Sequence, residues 1–354
     1  MKRLGEGNVV ARARAILRGL RKGEPGRAPR RTVVVGHRGA ARHEPENTLS
    51  SFARALELGA GGVEADICVT RDGRFVVWHD ADPDERVALA RQTGLESLGF
   101  RPEVPSLGAP LHRPVRELML AEFLANYGYV KGDPDESRGR GRIPPITLET
   151  LIAWALRQGA LTDLFLDVKL DETQTREAAA LVDFVRERAG RSPLPEIHFL
   201  SPCEPVVREM ARRALGRTLR VSADFELPGA DRLAPETGAP DVSMGCGERL
   251  WSGFHGDVGA CIRRRERGVF GRVVAWTIND EKQLRRLVRD GVDGILTDDA
   301  RLLRRIVEEE RGKDAAEARA DSVPSQRAGG RVVRFEANAR SHRSETRSRR
   351  SPTA

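Results

Sequence analysis

Between residues 32 and 310, short β-branched apolar runs take turns with stretches of helical periodicity, and this alternation constrains the fold more than any other feature. Candidate strands lie at 32–36, 62–69, 74–78, 163–168, 196–200, 218–222, 240–244, 272–277 and 293–297. Candidate helices lie at 48–58, 147–157, 175–188, 204–214, 256–266, 280–289 and 299–310. Strands separated by helix-length segments line up in parallel, with the helices crossing back over the sheet. Roughly 250–280 residues with about eight such strands predict an α/β fold, a (β/α)8 TIM barrel, ahead of an open doubly wound sheet. Nine runs compete for eight places. The run at 240–244 is the weakest, and 74–78 also reads as a hairpin partner of 62–69.

Residues 81–145 break the rhythm with Pro, Gly and charge, and hold one expected helix at 114–126. A loop-rich insertion after a barrel strand is expected over the mouth, where barrel active sites form. The net charge of +8 divides unevenly. Residues 1–31 carry 10 Lys/Arg against 2 Asp/Glu, and residues 311–354 carry 11 against 5. The body at 32–310 is therefore acidic, with 39 basic and 45 acidic residues. These counts predict a basic N-terminal arm (1–31), a barrel domain (32–310) and a disordered basic tail (311–354). The basic ends suit weak contact with an anionic membrane surface or RNA, or serve only to solubilise; no obligate protein partner is expected.

No apolar run approaches the roughly 18 residues of a membrane span, and Arg12, Arg14 and Arg18 interrupt the only early apolar stretch. Cys68, Cys203, Cys246 and Cys261 form no CxxC pair and read as thiols in a reducing compartment. A cytoplasmic protein, peripheral at most to a membrane, is the expectation.

The chemistry concentrates between Val33 and Asp80. His37 follows VVVG and His79 follows FVVW, so both fall at C-terminal ends of strands, where barrel catalysis takes place. An imidazole with a pKa near 6.5 serves as acid or base at neutral pH. Glu64 and Asp66 stand two apart on one strand, so they share a face about 6.6 Å apart along the chain. Two carboxylates on one buried face repel unless positive charge lies between them. Either a hard divalent cation, Mg²⁺ or Ca²⁺, or salt bridges to Arg or Lys meets that need. In LFLDVKL, Asp167 and Lys169 repeat the spacing. Asp167 adds a ligand to a cation and Lys169 meets a phosphate oxygen, or the two simply pair with each other. Arg38 carries a fork suited to phosphate, and reaches the site beside His37 only if the strand has ended there. Gly36 and Gly39 make that easy. Glu46 and Asn47 of PENT either hydrogen-bond near the site or cap the helix starting around Thr48.

HRGA, PENT, VEADICVT, VVWHD, the ITLETL helix start and VVAWTINDEKQLRRLVRDGVDGILTDDA, in this order, resemble the glycerophosphodiester phosphodiesterase family over about residues 32–308. The resemblance implies a (β/α)8 barrel in which His37 and His79 act as general acid and base. It implies a divalent ion, Mg²⁺ or Ca²⁺, held by Glu64, Asp66 and Asp167. Arg38 and Lys169 match its phosphate-binding positions, and Trp276 an aromatic near the glycerol end. The implied reaction converts a glycerophosphodiester to glycerol phosphate and an alcohol, with a glycerol hydroxyl attacking first to give a cyclic phosphate. The chain departs in having Asp167 where the family usually has Glu, and in ADPDERVALARQTG where the family is threonine-rich. An Asp at that place also occurs in the related sphingomyelinase D branch. The alternative is therefore a lysophospholipase D-like enzyme acting on lipid head groups. A third reading, a barrel scaffold without catalysis, leaves the His, Glu, Asp and Lys set without a purpose.

Overall fold

Twelve strands are seen among the described residues: β1 (Val33–Gly36), β2 (Gly62–Val69), β3 (Phe75–Val77), β4 (Phe100–Glu103), β5 (Gly128–Lys131), β6 (Ile146–Thr147), β7 (Asp163–Val168), β8 (Glu196–Ser201), β9 (Leu219–Phe225), β10 (Asp241–Gly245), β11 (Val273–Trp276) and β12 (Gly294–Thr297). The structure is a computed structural model that describes residues 32–94, 99–131, 141–190, 192, 195–214, 219–225, 230–245 and 251–322. The basic arm at 1–31, the tail from 323 onward and Cys246 lie outside the described residues. The chain divides into two units, Met1–Lys313 and Asp314–Ala354, and the site described below belongs to the first.

Eight strands pair in parallel in the order β1-β2-β7-β8-β9-β10-β11-β12, and β12 returns to β1 to close the (β/α)8 barrel. The run at 240–244, the weakest on sequence, is a full barrel strand. It pairs with both β9 and β11. The run at 74–78 is the one outside: β3 pairs antiparallel with the far end of β2. The loop TRDGR between them is too short for the crossover that a parallel partner needs.

Helices α1 (Leu49–Glu57), α2 (Arg86–Gln92), α3 (Leu120–Asn126), α4 (Leu148–Ala155), α5 (Thr175–Ala189), α6 (Glu204–Arg213), α7 (Ala230–Leu233), α8 (Trp251–Glu266), α9 (Glu281–Asp290) and α10 (Ala300–Ser322) complete the described elements. The last one runs past residue 311, where disorder was expected to begin. RGKDAAEARADS is rich in helix formers, which favours continuing the helix.

Side-chain alternation divides each barrel strand between two cores. On β7, Leu164, Leu166 and Val168 join the outer core beneath the helices. Phe165 joins Val35, Leu200, Val274 and Leu296 inside the barrel. Asp163 and Asp167 share Phe165's inward parity, one below it and one above. Below, at the N-terminal ends of the strands, Asp163 accepts from His198 (2.9 Å) and Arg272 (2.6 Å), and Arg272 also pairs with Glu196. Arg220 with Asp241 and Arg265 with Asp293 complete a floor of ion pairs. Above lies the mouth.

The insertion follows β3 and builds a core of its own. Trp78 packs against Phe123, Tyr127 and Tyr129 at centroid separations of 5.8, 6.0 and 4.9 Å. The single helix expected at 114–126 is instead a 3-10 turn (Val115–Glu117) followed by α3. At the break, the Leu118 carbonyl accepts from Arg71 N–H of the β2–β3 turn (2.8 Å), and Glu122 caps Met119 N–H (2.8 Å). A tertiary hydrogen bond thus replaces a helical one. Helix α2 and the antiparallel pair β4–β5 were not foreseen, because neither carries a clear apolar period.

Candidate active site

Strand β1 ends at Gly36, and the chain then turns sharply. Gly39 sits at φ 90°, and a Cβ there would lie 2.4 Å from Ser51 Oγ, so only glycine fits. Arg38 itself adopts φ 51°, which directs its N–H to Glu64 Oε2 at 2.8 Å. This turn brings His37 and Arg38 to one site although they are sequence neighbours. His37 N–H donates to Thr297 of β12 (3.0 Å), and His37 Nδ1 lies 2.8 Å from Asp298 Oδ1. Asn279 holds Asp298 in turn, donating to its other oxygen at 2.6 Å and accepting from its N–H at 2.9 Å.

His79 has a matching anchor, with Nδ1 2.6 Å from Asp80 Oδ1. A carboxylate at Nδ1 selects the tautomer that leaves a lone pair on Nε2. Burial, reinforced by the nearby Arg38 charge, lowers His79 to about 4, so it is neutral at working pH. Asp80 also receives Arg91 Nε from helix α2, at 3.0 and 3.2 Å to its two oxygens.

Glu46 and Asn47 of PENT work near the site, and the motif's last residue caps the helix. Asn47, at φ 57°, donates Nδ2 to Asp66 Oδ2 (2.8 Å) and accepts from Asp66 N–H (3.1 Å). Glu46 accepts from Arg38 Nη1 at 3.0 Å and pairs with Arg91. The cap is Thr48, whose hydroxyl accepts from Ser51 N–H.

Asp66 and Asp167 are register partners across β2 and β7, and with Glu64 their oxygens fall within 4.8 Å of one another. Lys169 Nζ stands 2.6 Å from Asp167 Oδ2 and 3.1 Å from Asp66 Oδ1. Arg38 Nε approaches Asp66 to 3.2 Å, an ion pair without hydrogen-bond alignment. Burial pushes Asp66 up, but Lys169 and Arg38 outweigh it and hold the group ionised. Glu64 goes the other way: burial, then the charges of Asp66 and Asp167, push its pKa well up. Asp167 Oδ1 is buried without a hydrogen-bond partner. An orphaned carboxylate oxygen beside a carboxyl destabilised by its neighbours fits a hard cation well.

The other acidic cluster among the described residues, Asp163, Glu196 and His198, is the barrel floor. Arg272 already bridges its two carboxylates, so a cation would have to displace a guanidinium.

His37, Arg38, Glu64, His79, Asp167, Lys169 and Trp276 line one cavity of about 610 Å³ at the mouth, together with Ala81, Glu85, Val87 and Arg116 of the insertion. Asp66 stands behind it, held by Asn47, Arg38 and Lys169. Trp276 Nε1 donates to Asp224 Oδ1 at 2.5 Å. Burial, then the charge of Asp167, raises Asp224 to about 7. Gly245 makes room for the indole, since a Cβ there would lie 2.7 Å from the ring. All eight site residues read from the sequence converge here. Reading the sequence missed the roles of Asp80, Arg91, Asp224, Asn279 and Asp298. Asp80 and Asp298 carried a visible signal, an acid at or just past a strand end in WHD and LTD.

A (β/α)8 barrel whose mouth joins two carboxylate-anchored histidines, an acidic trio and two cationic side chains has the make-up of a phosphoric diester hydrolase. Models described as the glycerophosphoryl diester phosphodiesterase family match residues 37–189 and 272–300. The chain belongs to that family. It is 26% identical over 293 residues to a glycerophosphodiester phosphodiesterase of Caldanaerobacter subterraneus subsp. tengcongensis, covering 78% of this chain and 98% of that protein. Its fold is similar to that of a glycerophosphodiester phosphodiesterase from Parabacteroides distasonis (TM-score 0.59, 20% identity, 80% of this chain and 100% of that one). It is also similar to that of an Oleispira antarctica phosphodiesterase solved with its product sn-glycerol-3-phosphate (TM-score 0.57, 22% identity, 78% and 97%). No helix among the described residues is long and apolar enough to cross a membrane.

Proposed function

We propose that the chain is a cation-dependent phosphodiesterase that hydrolyses glycerophosphodiesters to glycerol phosphate and an alcohol, with His37 and His79 moving the protons. The observation that carries this reading is the pair of histidines, each tied through Nδ1 to a carboxylate, sharing one cavity with Arg38, Lys169 and the orphaned Asp167 oxygen. A divalent cation, Mg²⁺ or Ca²⁺, held by Glu64, Asp66 and Asp167, supplies positive charge for the phosphate oxygens when bound.

The chain's own groups account for the rest. Arg38 and Lys169 receive the phosphate oxygens, whose negative charge grows as the hydroxyl oxygen attacks phosphorus. One histidine takes the proton of the attacking glycerol hydroxyl, and the other returns a proton to the departing alcohol oxygen as its bond to phosphorus breaks. Water then opens the cyclic phosphate with the two roles reversed, giving glycerol phosphate. Trp276, fixed by Asp224 and Gly245, lines the wall for the glycerol end. The Oleispira protein of like fold holds sn-glycerol-3-phosphate, the product expected here. The catalytic body is residues 32–310, and the basic ends suit an anionic surface around a cytoplasmic enzyme.

Family membership favours the water-soluble diester over the lysophospholipid. Phosphorus NMR of reactions with glycerophosphocholine and with lysophosphatidylcholine, each with Mg²⁺ or Ca²⁺, separates the two. Glycerol phosphate from glycerophosphocholine is the expected product. Phosphocholine, or turnover of the lysolipid alone, contradicts the assignment.

A further inference from the structure

We infer that Arg91, on insertion helix α2, is a positioning residue for the reaction: one guanidinium braces both the phosphate-binding Arg38 and the proton-transferring His79. The inference rests on the phosphodiesterase reading above. Arg91 is 5% exposed and is not among the residues lining the cavity, so it acts through others. Its Nε donates to both oxygens of Asp80, at 3.0 and 3.2 Å, while Asp80 Oδ1 holds His79 Nδ1 at 2.6 Å. Its Nη1 donates to Glu46 Oε2 at 3.2 Å, the same oxygen that receives Arg38 Nη1 at 3.0 Å, and its Nη2 pairs with Glu46 Oε1.

Glu46 and Asp80 thus lie on either side of one planar fork, and each presents an already shared oxygen to a group at the mouth. Without the fork, the buried Asp80 and the half-buried Glu46 repel each other, and their remaining side-chain partners are His79 and Arg38, the very groups they have to hold. His79 and Arg38 would then swing with their anchors. A lysine cannot reproduce this arrangement, because one compact ammonium lacks the planar spread of Nε, Nη1 and Nη2 that engages both oxygens of Asp80 and both of Glu46. The insertion is accordingly a working part of the site as well as its wall. Helix α2 buries Ala88 and Arg91, leaves Arg86 and Leu89 exposed, and places Val87 at the cavity.

The test compares Arg91→Lys, Arg91→Gln and Arg91→Ala with the wild-type chain, using glycerophosphocholine and the better of Mg²⁺ and Ca²⁺. A misplacement of about 1 Å can cost about 10²-fold, so kcat/KM is expected to fall about 10²-fold in all three, including the lysine variant that keeps the charge. Both kcat and KM should change, since His79 and Arg38 lose their brace together. Guanidinium ion should restore part of the activity of Arg91→Ala and none beyond the normal rate of the wild type. Circular dichroism and thermal melting establish that the variants are folded. Folded variants within about threefold of wild type overturn the inference. So does activity that falls only in step with the folded fraction, with KM unchanged and no rescue. A wild-type chain inactive on every glycerophosphodiester ends the functional reading instead. Calorimetric binding of glycerol 3-phosphate then decides the inference, with weaker binding in folded Arg91→Gln supporting it and equal binding overturning it.

Discussion

His79 is half-buried near the charge of Arg38 with its Nδ1 committed to Asp80, and its depressed pKa of about 4 has a measurable consequence. The folded pKa lies below the unfolded value near 6.5, so the group favours folding fully above pH 6.5 and loses that contribution as pH falls toward 4. Ring resonances of His79 are therefore expected to report neutral imidazole down to about pH 5. A titration midpoint near 6.5 contradicts the burial and charge argument. His37, His79, Arg38, Glu64, Asp66, Asp167, Lys169 and Trp276 were legible at this scale because each chemical group stands at a recognisable place on a strand or strand end. Asn279 was not, and the acid at Asp298 gave no hint of its partner, since their work on His37 exists only after β12 closes the barrel beside β1, 261 positions away. Arg91 was hidden for a different reason. A lone arginine in a charged, irregular stretch has no local pattern to distinguish it from a solvated one.

Strands β7, β8 and β11 meet at the barrel floor through Asp163, His198, Glu196 and Arg272, away from the mouth. Burial alone pushes Asp163 up, but the His198 hydrogen bond and the Arg272 charge hold it well below the usual carboxylate range. Its contribution is therefore present above the unfolded value near 4 and lost as pH falls below it. Asp163→Asn should cost about 3 kcal/mol at pH 7, because it breaks a buried pair and leaves Arg272 partly uncompensated. Urea unfolding at pH 7 and at pH 3 checks this: the difference from wild type should shrink at the lower pH. Equal stability at pH 7 contradicts it. The eight barrel strands were legible as elements, but which of nine runs was the odd one depended on pairing. Run 74–78 has strand composition as good as 240–244, and only the short loop before it reveals the hairpin. Helix 114–126 broke at Leu118 because its carbonyl bonds to Arg71, a contact between elements that no local propensity encodes.

The molecule as a whole concentrates its basic residues at the ends and keeps an acidic body, so its high isoelectric point of 9.8 says little about the barrel. Within that body, the folded chain gathers Glu64, Asp66 and Asp167 within 4.8 Å, the first two buried and the third half-buried, beside the cations Arg38 and Lys169. The alternation of strands and helices made this barrel legible, and the motifs at the strand ends made its mouth legible. The insertion was legible only as an interruption, because its fold depends on Trp78 gathering Phe123, Tyr127 and Tyr129 from distant positions. The central claim is that this mouth hydrolyses a glycerophosphodiester with the help of a cation and two histidines. Its most direct test is the release of glycerol phosphate from glycerophosphocholine in Mg²⁺, in Ca²⁺ and in EDTA, by the wild-type chain, His37→Ala and Glu64→Gln. Turnover that needs the cation and falls by about 10²-fold or more in both variants is the predicted result. Turnover that survives EDTA and both substitutions contradicts it.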